Sequence, residues 1–384
     1  MPRSRVITGV RGGSRIRPTR VEVDLSAICE NAARLRRLAG PVYAVVKADA
    51  YGHGAVAVAG ALERAGDVDG LAVSLVEEAA ELREAGSRLP ILVMGPALGG
   101  AHDELVKMGA TPLVSELEDL EAFAELGRRR GSPVSVHLKV DTGMSRLGIT
   151  PEAVPGVVER ARRRGELAIA GLATHLACAD IDDPEDGQSM TRAQLSRFSS
   201  VVAAARAAGA AAIAVHAANS SAALRFPAAR WDFVRPGLAL YGGGSAAEES
   251  DLLPTTRLVS EVAQIRDVPA GASVSYNALW RAERDTRVAV LPIGYADGYP
   301  RRLSREAEVL IGGRRCQVVG AVSMDIAIAD ITDLGDAARV GDEAVLLGVQ
   351  GSERISIAEF AQRAGLIEHE VTCGISKRVP RVYA

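Results

Sequence analysis

Up to Tyr241 the chain is governed by one alternation. Short apolar runs at 42–46, 71–73, 91–94, 111–114, 134–140, 168–172, 213–215 and 233–241 each give way to polar or glycine residues, and helix-spaced segments such as 76–85, 116–126 and 192–208 lie between them. Continuous apolar runs of this length are the signature of strands covered on both faces. Eight such strands alternating with helices predict a closed parallel (β/α)8 TIM-type barrel, whose site gathers at the carboxyl ends of the strands. An open doubly wound sheet would share the alternation, but no GxGxxG opens a helix after the first strand. Ahead of the repeat, Val21 to Leu25 reads as a short strand, Ser26 as a cap, and Ile28, Ala32, Leu35 and Leu38 as the buried stripe of a helix that Gly40-Pro41 stops.

Past Gly242-Gly243-Gly244-Ser245 and an acidic linker to Pro254 the texture changes. Strand-like runs at 258–268, 272–276, 287–293, 308–311, 315–319, 326–331 and 344–349 are separated by turn signals, with a hairpin expected at Gly312-Gly313 and one helix at 357–364. With 384 residues, 48% of them hydrophobic, two domains are expected: a barrel over 21–250 and a mostly β domain over 251–384. Residues 1–20, rich in Arg, Gly and Ser, are expected to be disordered until the chain joins the fold near Val21. A nucleic-acid arm is the sharper reading of that segment, but it carries no aromatic ring to stack on bases.

The net charge of −3 gives no electrostatic reason to bind nucleic acid. Cys29, Cys178, Cys316 and Cys373 are scattered, without CxxC spacing, and read as reduced thiols. No metal site is expected. No apolar run reaches the roughly 18 residues that span a membrane, and the start carries charges where a signal peptide is apolar. A cytoplasmic protein without membrane partners is expected.

The chemistry starts at residues 41–54, Pro-Val-Tyr-Ala-Val-Val-Lys-Ala-Asp-Ala-Tyr-Gly-His-Gly. Lys47 ends the first apolar run. Desolvation there disfavours the ammonium, and a neutral amine can form a Schiff base with a carbonyl cofactor. A lysine snorkelling from a strand end is the plainer reading. The glycines around His53 permit a tight turn, and Tyr51 adds a hydroxyl beside the same pocket. Other chemically suggestive residues also fall at strand ends: Lys139, Arg146, His175, Ser220 and Arg235. Asn219-Ser220-Ser221, after the seventh run, reads as a helix start that could hold an anion or simply cap the helix.

Val45-Val46-Lys47-Ala48-Asp49-Ala50-Tyr51-Gly52-His53-Gly54 resembles the pyridoxal-phosphate lysine motif of the alanine racemases. The resemblance recurs in order at His137 to Gly148 around Lys139 and Arg146, at Thr174-His175, at His216 to Ser220, at Arg235-Pro236-Gly237, at Val274-Ser275-Tyr276, at Gly294 to Gly298 and at Ser323-Met324-Asp325. It implies a homodimer with shared sites, in which pyridoxal 5'-phosphate binds to Lys47, Tyr51, His175, Asn219, Ser220, Arg235, Gly237, Leu238 and His369. It also implies that Lys47 and Tyr276, the latter from a partner subunit, serve as the two catalytic acid–bases on opposite faces of an amino acid. Arg146, Met324, Tyr295 and Lys139 would form the substrate site, with Lys139 holding Arg146 either as a carbamate or as an uncharged amine in ordinary hydrogen bonds. An arginine facing the cofactor's ring nitrogen keeps that nitrogen unprotonated, because arginine retains its own proton.

The implied activity is interconversion of L- and D-alanine for cell-wall precursors. Rival readings are a racemase of another small amino acid such as serine, a retro-aldol or decarboxylase enzyme on the same barrel, and a catalytically silent cofactor carrier. Two departures from the family pattern stand out. His369 occupies the place of a phosphate-binding tyrosine, so cofactor affinity is expected to fall between about pH 6 and 8 as the histidine loses its proton. Ala321 stands where the family has an arginine lining the mouth of the site beside Asp180 and Arg301. A wider mouth and turnover of side chains beyond methyl are expected.

Overall fold

The computed structural model of the chain describes residues 16–181, 187–244, 246–247 and 250–384. It divides into two compact units: Ile28–Tyr51 with Ala55–Leu253 form a barrel unit, and the described residues up to Ala27, Gly52–Gly54 and Pro254–Ala384 form a β unit.

β1 (Arg20–Val23) leads into α1 (Leu25–Ala39). The cap is Asp24 rather than Ser26: its Oδ1 accepts from the Ala27 N–H at 2.9 Å and from the Ser26 hydroxyl at 2.5 Å. A carboxylate at this position also suits the positive end of the helix. Of the expected stripe, Ile28, Ala32 and Leu35 are fully buried, while Leu38 lies on the exposed side.

Seven strands of the barrel unit, β2 (Tyr43–Val45), β3 (Gly70–Val73), β4 (Ile91–Val93), β5 (Thr111–Val114), β6 (Val134–Lys139), β7 (Leu167–Ala173) and β8 (Ala214–His216), pair in sequence order. Every pairing is parallel. The helices between and after them are α2 (Lys47–Gly52), α3 (Ala55–Ala65), α4 (Val76–Glu84), α5 (His102–Lys107), α6 (Leu117–Arg130), α7 (Val154–Arg164), α8 (Gly187–Ala207) and α9 (Ser220–Arg225). The eighth run shrinks to a bridge. Val234 pairs in parallel with Val42, and the Tyr43 and Val45 N–H groups reach the Val234 and Pro236 carbonyls at 2.9 Å. On its other side Asp232 and Arg235 donate at 2.9 Å to the carbonyls of Val215 and Ala218, which closes the ring. Pro236 has no N–H to extend the ladder. The chain then turns into a 3-10 helix at Leu238–Tyr241 instead of continuing as strand.

In the β unit the run at 258–268 is two strands, β9 (Thr256–Glu261) and β10 (Gln264–Val268), in different sheets. Between them the Val262 N–H turns to the Asp342 carbonyl and the Ala263 N–H to that of Val290. The further elements are β11 (Ser273–Val274), β12 (Trp280–Arg281), β13 (Thr286–Leu291), β14 (Glu308–Ile311), β15 (Arg314–Gln317), β16 (Ala327–Asp330), β17 (Glu343–Gln350), β18 (Glu353–Ile355), α10 (Ile357–Ala364), α11 (Glu368–Cys373) and β19 (Arg381–Tyr383). The main sheet runs β15-β14-β17-β9-β1-β19, with smaller sheets β10-β13-β16 and β11-β12. Gly312 and Gly313, at φ 59° and 73°, make the expected hairpin turn between β14 and β15.

The N-terminal boundary is revised. β1 lies in the β unit, antiparallel to β9 and parallel to β19, so the β unit holds the first of the described strands as well as the last. Residues 16–20, expected to be disordered, are held in place. Arg17 pairs with the buried Asp297 carboxylate at 2.8 Å, and the buried Thr19 hydroxyl bonds Ser260 and the Pro292 carbonyl. An arginine fork with a buried carboxylate to pair outweighs the polar composition on which the expectation of disorder rested. The same expectation for residues 1–15 lies outside the described residues. Among the described residues, no helix is long and apolar enough to cross a membrane.

Candidate active site

The barrel strands deliver their chemistry at their carboxyl ends. β2 is followed by the fully buried Val46 and then by Lys47. Lys47 opens an unusual turn: Ala48, Asp49, Ala50 and Tyr51 have φ of 52°, 54°, 52° and 53°, so α2 is left-handed. For residues with a Cβ that region costs about 1–2 kcal/mol each. Such a turn persists only where its surroundings over-determine it. Here the Ala50 N–H reaches the Val46 carbonyl at 2.9 Å, and the Asp49 carboxylate accepts from the Ala55 N–H at 2.7 Å. The Tyr51 ring packs at 5.1 Å on Tyr241, whose hydroxyl bonds the Val45 carbonyl at 3.0 Å.

A cradle forms around Tyr51. A Cβ on Gly237 would come within 2.2 Å of the Tyr51 hydroxyl oxygen, so only glycine admits that ring. The Ser220 hydroxyl, at the start of α9, accepts from the Gly237 N–H at 2.9 Å and the Ala239 N–H at 3.2 Å. Two hydroxyls and the amino end of a helix therefore meet beside Leu238, a donor-rich arrangement that can hold an anion. Asn219 does what its plainer reading said: its Oδ1 caps α9 through the Ala222 N–H at 3.0 Å. The N–H of Gly237, one of the residues that the resemblance assigns to the cofactor, is taken by Ser220.

Arg235 is 5% exposed and held by acceptors on several sides. Its Nη1 meets His216 Nδ1 at 2.7 Å, and its Nη2 donates to the Thr174 and Ala217 carbonyls at 2.9 and 3.2 Å. Burial brings its pKa down to about 10, which leaves it a cation at neutral pH. A guanidinium only donates, so His216 Nδ1 must accept. His216 then carries its proton on Nε2 and donates to His137 Nδ1 at 2.9 Å. Burial, with the Arg235 charge added, holds His216 well below the ordinary histidine pKa and His137 at about 4, so both rings are neutral.

His175, after β7, is likewise driven down to about 3, first by burial and then by Arg235, Arg146, Lys139 and Lys47. Lys139, at the end of β6, is 7% exposed. Burial, then the charges of Arg146, Arg235 and Lys47, lower it to about 8 against the pull of Asp141. Half of it is a neutral amine at that pH. Arg146 sits on a loop built by Asp141, whose Oδ1 accepts from the N–H groups of Gly143, Met144 and Ser145 at 2.9, 2.9 and 3.1 Å. Those bonds outweigh burial and hold the Asp141 carboxyl below the ordinary range. Lys47, Lys139, Arg146, His175 and Arg235 thus share one electrostatic neighbourhood.

The other residues singled out in the sequence lie in the β unit. Tyr276 is 68% exposed, on a short turn flanked by Ser275 at φ 64° and Asn277 at φ 61°. The Ser275 hydroxyl anchors that turn to the Ala321 carbonyl at 2.6 Å. Tyr295 and Met324 are neighbours: the Tyr295 N–H bonds the Ser323 carbonyl and the Ala296 N–H that of Met324, both at 3.0 Å. Both side chains are exposed, and so is His369, on α11. Ala321 is buried beneath the Tyr276 turn, so in this unit the position lines no open rim. His53 is buried at 2.5 Å from the Thr256 hydroxyl and has a packing role.

The alanine racemase N-terminal domain profile matches residues 23–245, and the C-terminal domain profile matches residues 255–383. The chain belongs to the alanine racemase family. The alanine racemase of Sorangium cellulosum is 44% identical over 383 residues, covering 96% of this chain and 99% of the relative. That of Symbiobacterium thermophilum is 43% identical over 373 residues, covering 96% and 97%. Among solved structures, alanine racemase from the D-cycloserine producing Streptomyces lavendulae matches with a TM-score of 0.90 at 35% identity, over 97% of this chain and 98% of that one. The biosynthetic alanine racemase from Pseudomonas aeruginosa matches with a TM-score of 0.85 at 37% identity, over 96% and 100%.

Within this alanine racemase family member, four supporting residues were given no role by the reading of the sequence. They are His137 behind His216, Asp141 beneath Arg146, Glu78 beside Lys47, and the buried Gln194. The Gln194 amide accepts from the Ala177 N–H at 2.9 Å and donates to the His175 carbonyl at 3.1 Å, fixing the loop after β7. Only Asp141-Thr142-Gly143 carried a local signal, that of an Asp hydrogen-bonding its own backbone a few residues on. The site contacts of the other three, His137 to His216, Glu78 to Ala48 and Gln194 to His175, join residues 19 to 79 positions apart.

Proposed function

We propose that the chain is an alanine racemase that interconverts L- and D-alanine with pyridoxal 5'-phosphate attached to Lys47, working as a homodimer in the cytoplasm and supplying D-alanine for cell-wall precursors. The observation that carries the reading is the buried, neutral His137–His216 pair that orients Arg235 as an obligate donor among the strand ends that also bear Lys47.

The residues suit that cofactor. The Tyr51 hydroxyl, the Ser220 hydroxyl and the start of α9 offer a phosphate cradle beside Gly237 and Leu238. Arg235 offers an N–H to a ring nitrogen and withholds a transferable proton, and the neutral His175 can lie against the ring. Bound there, the cofactor would supply a carbonyl for the substrate's amino group and a conjugated ring that takes up charge from its α-carbon. Everything else falls to side chains. Lys47 takes or returns the α-proton on one face, and Tyr276 of the partner subunit does so on the other. Arg146, set by the Asp141 loop, pairs with the substrate carboxylate, and the Lys139 beside it is neutral enough near pH 8 to take up carbon dioxide as a carbamate. The partner's Met324 and the partner's Tyr295 wall the substrate side.

The test is incubation of the purified protein with each L-amino acid in deuterated water. α-Proton exchange with loss of enantiomeric purity is expected for L-alanine. A silent cofactor carrier would exchange nothing, and an aldolase would cleave the side chain. Lys47→Ala should lose both covalent cofactor attachment and exchange, and a variant that keeps either would overturn the assignment.

A further inference from the structure

We infer that Glu78 is a positioning residue for Lys47. The inference rests on the reading of Lys47 as the cofactor's lysine, and it concerns how the backbone beneath that lysine is held.

The ties already described fix the left-handed turn from within, through Ala50, Asp49 and Tyr51. Another reaches it from the first turn of the neighbouring helix α4 and falls on the peptide that joins Lys47 to Ala48. The Ala48 N–H donates to Glu78 Oε1 at 2.6 Å. The second oxygen, Oε2, accepts from the Ser74 N–H at 2.8 Å and the Leu75 N–H at 2.9 Å, where β3 ends and α4 begins. One carboxylate therefore ties the end of β2 to the end of β3. A helix cap alone would need only the Oε2 contacts. The Oε1 contact serves the lysine turn.

The consequence follows from peptide planarity. Lys47 C and O and Ala48 N and H lie in one plane, so anchoring the Ala48 N–H fixes the rotation of that plane about the Lys47 Cα–C bond. With the strand holding the other side of Lys47, the direction of its Cα–Cβ bond is set. Without Oε1 the plane can turn, and a left-handed run of non-glycine residues has every reason to relax toward the right-handed region. Lys47 would then sample many directions, few of them toward its cofactor.

Glu78→Gln keeps size and shape but places an amide NH2 where one set of N–H groups needs an acceptor, so it cannot hold both sides. Ser356→Ala is the control: it deletes the Ser356 Oγ cap on the Glu359 N–H (3.1 Å) of α10, in the other unit. Cofactor is stripped from each protein and pyridoxal 5'-phosphate returned, with covalent attachment timed by borohydride trapping at Lys47. Amide hydrogen exchange of the peptide around Ala48 is measured on the apoprotein, together with kcat and KM on the holoenzyme. E78Q should slow attachment and speed Ala48 exchange by about tenfold each, the scale of one lost charge-assisted hydrogen bond. Its kcat should fall more than its KM changes. S356A should lose thermal stability while attaching cofactor at the wild-type rate. Glu78→Asp, still a two-oxygen acceptor, should lie between E78Q and wild type, and it stands in for E78Q if that variant does not fold. Wild-type attachment and exchange in E78Q, or losses no larger than those of S356A, would overturn the inference. If the wild-type protein itself shows no trappable link, the reading of Lys47 fails, and the exchange measurement still decides whether Glu78 holds the turn.

Discussion

Lys139 shows what burial among cations does to a single side chain. A lysine at about 8 in the folded protein and near 10.5 in the unfolded chain is protonated in both states below pH 8, and the cost of burying its charge is then present in full. Between about 8 and 10.5 the unfolded chain holds a proton that the folded chain has released, so stability rises with pH across that window and levels off above it. The ceiling is about 3 kcal/mol, from about 1.4 kcal/mol per pKa unit. Urea unfolding of the apoprotein from pH 7 to 10 should show wild type gaining on Lys139→Met, and parallel curves would refute it. A carbamate formed in added bicarbonate should flatten the difference, which separates the two states proposed for this residue. The sequence pointed to Lys139 through the block it shares with the family. Part of its environment, the charges of Arg235 and Lys47, comes from the ends of other strands.

At the scale of elements, the loop after β6 and the cradle after Pro236 are the pieces whose rigidity matters. Asp141→Ala removes the acceptor of three backbone N–H groups, each worth on the order of 1 kcal/mol or more with a charged partner. The expected result is a loss of about 2 kcal/mol in stability and a KM for alanine raised more than kcat is lowered, because Arg146 stays present on a looser loop. Gly237→Ala should be worse for the cofactor than for the fold. Its Cβ would meet the Tyr51 hydroxyl at 2.2 Å, and the ring can yield only by leaving the cradle. A fall in cofactor affinity by about tenfold or more, measured by equilibrium titration of the apoprotein, is expected. An unchanged affinity would show that Tyr51 has room to move. Both elements were visible in sequence as glycine-bearing blocks at strand ends, but the sequence did not show what each glycine makes room for.

At the scale of the whole molecule, the β unit exposes Tyr276, Leu279, Tyr295, Met324 and Ile326 at 41–68%. Aromatic and apolar groups clustered in this way are the usual mark of a surface that another chain covers. If a second copy covers it and lends Tyr276 to the first, Lys47→Ala and Tyr276→Phe should each be inactive alone yet recover activity on mixing. Half of the dimers formed at equal input are hybrids, and each hybrid has one intact site of its two, so about one quarter of wild-type activity is expected. No recovery under conditions that exchange subunits would place Tyr276 in the same chain's site.

The sequence by itself determined the barrel, because strands buried on both faces must be apolar throughout and the crossovers between them must be helical. It also singled out the candidate site residues, because chemistry at strand ends interrupts an apolar pattern and stands out against it. Only the tertiary structure decided what depends on distance through space. Those decisions include the insertion of β1 between β9 and β19, the ordering of Arg17 by a buried aspartate 280 residues away, and the reduction of the eighth strand to a bridge. They also include the Arg235–His216–His137 proton order and the left-handed turn under Lys47. Four residues such as Ala48, Asp49, Ala50 and Tyr51 would each choose a right-handed backbone if left to themselves. Contacts with side chains and backbone elsewhere in the fold hold them otherwise, and no local pattern records such contacts.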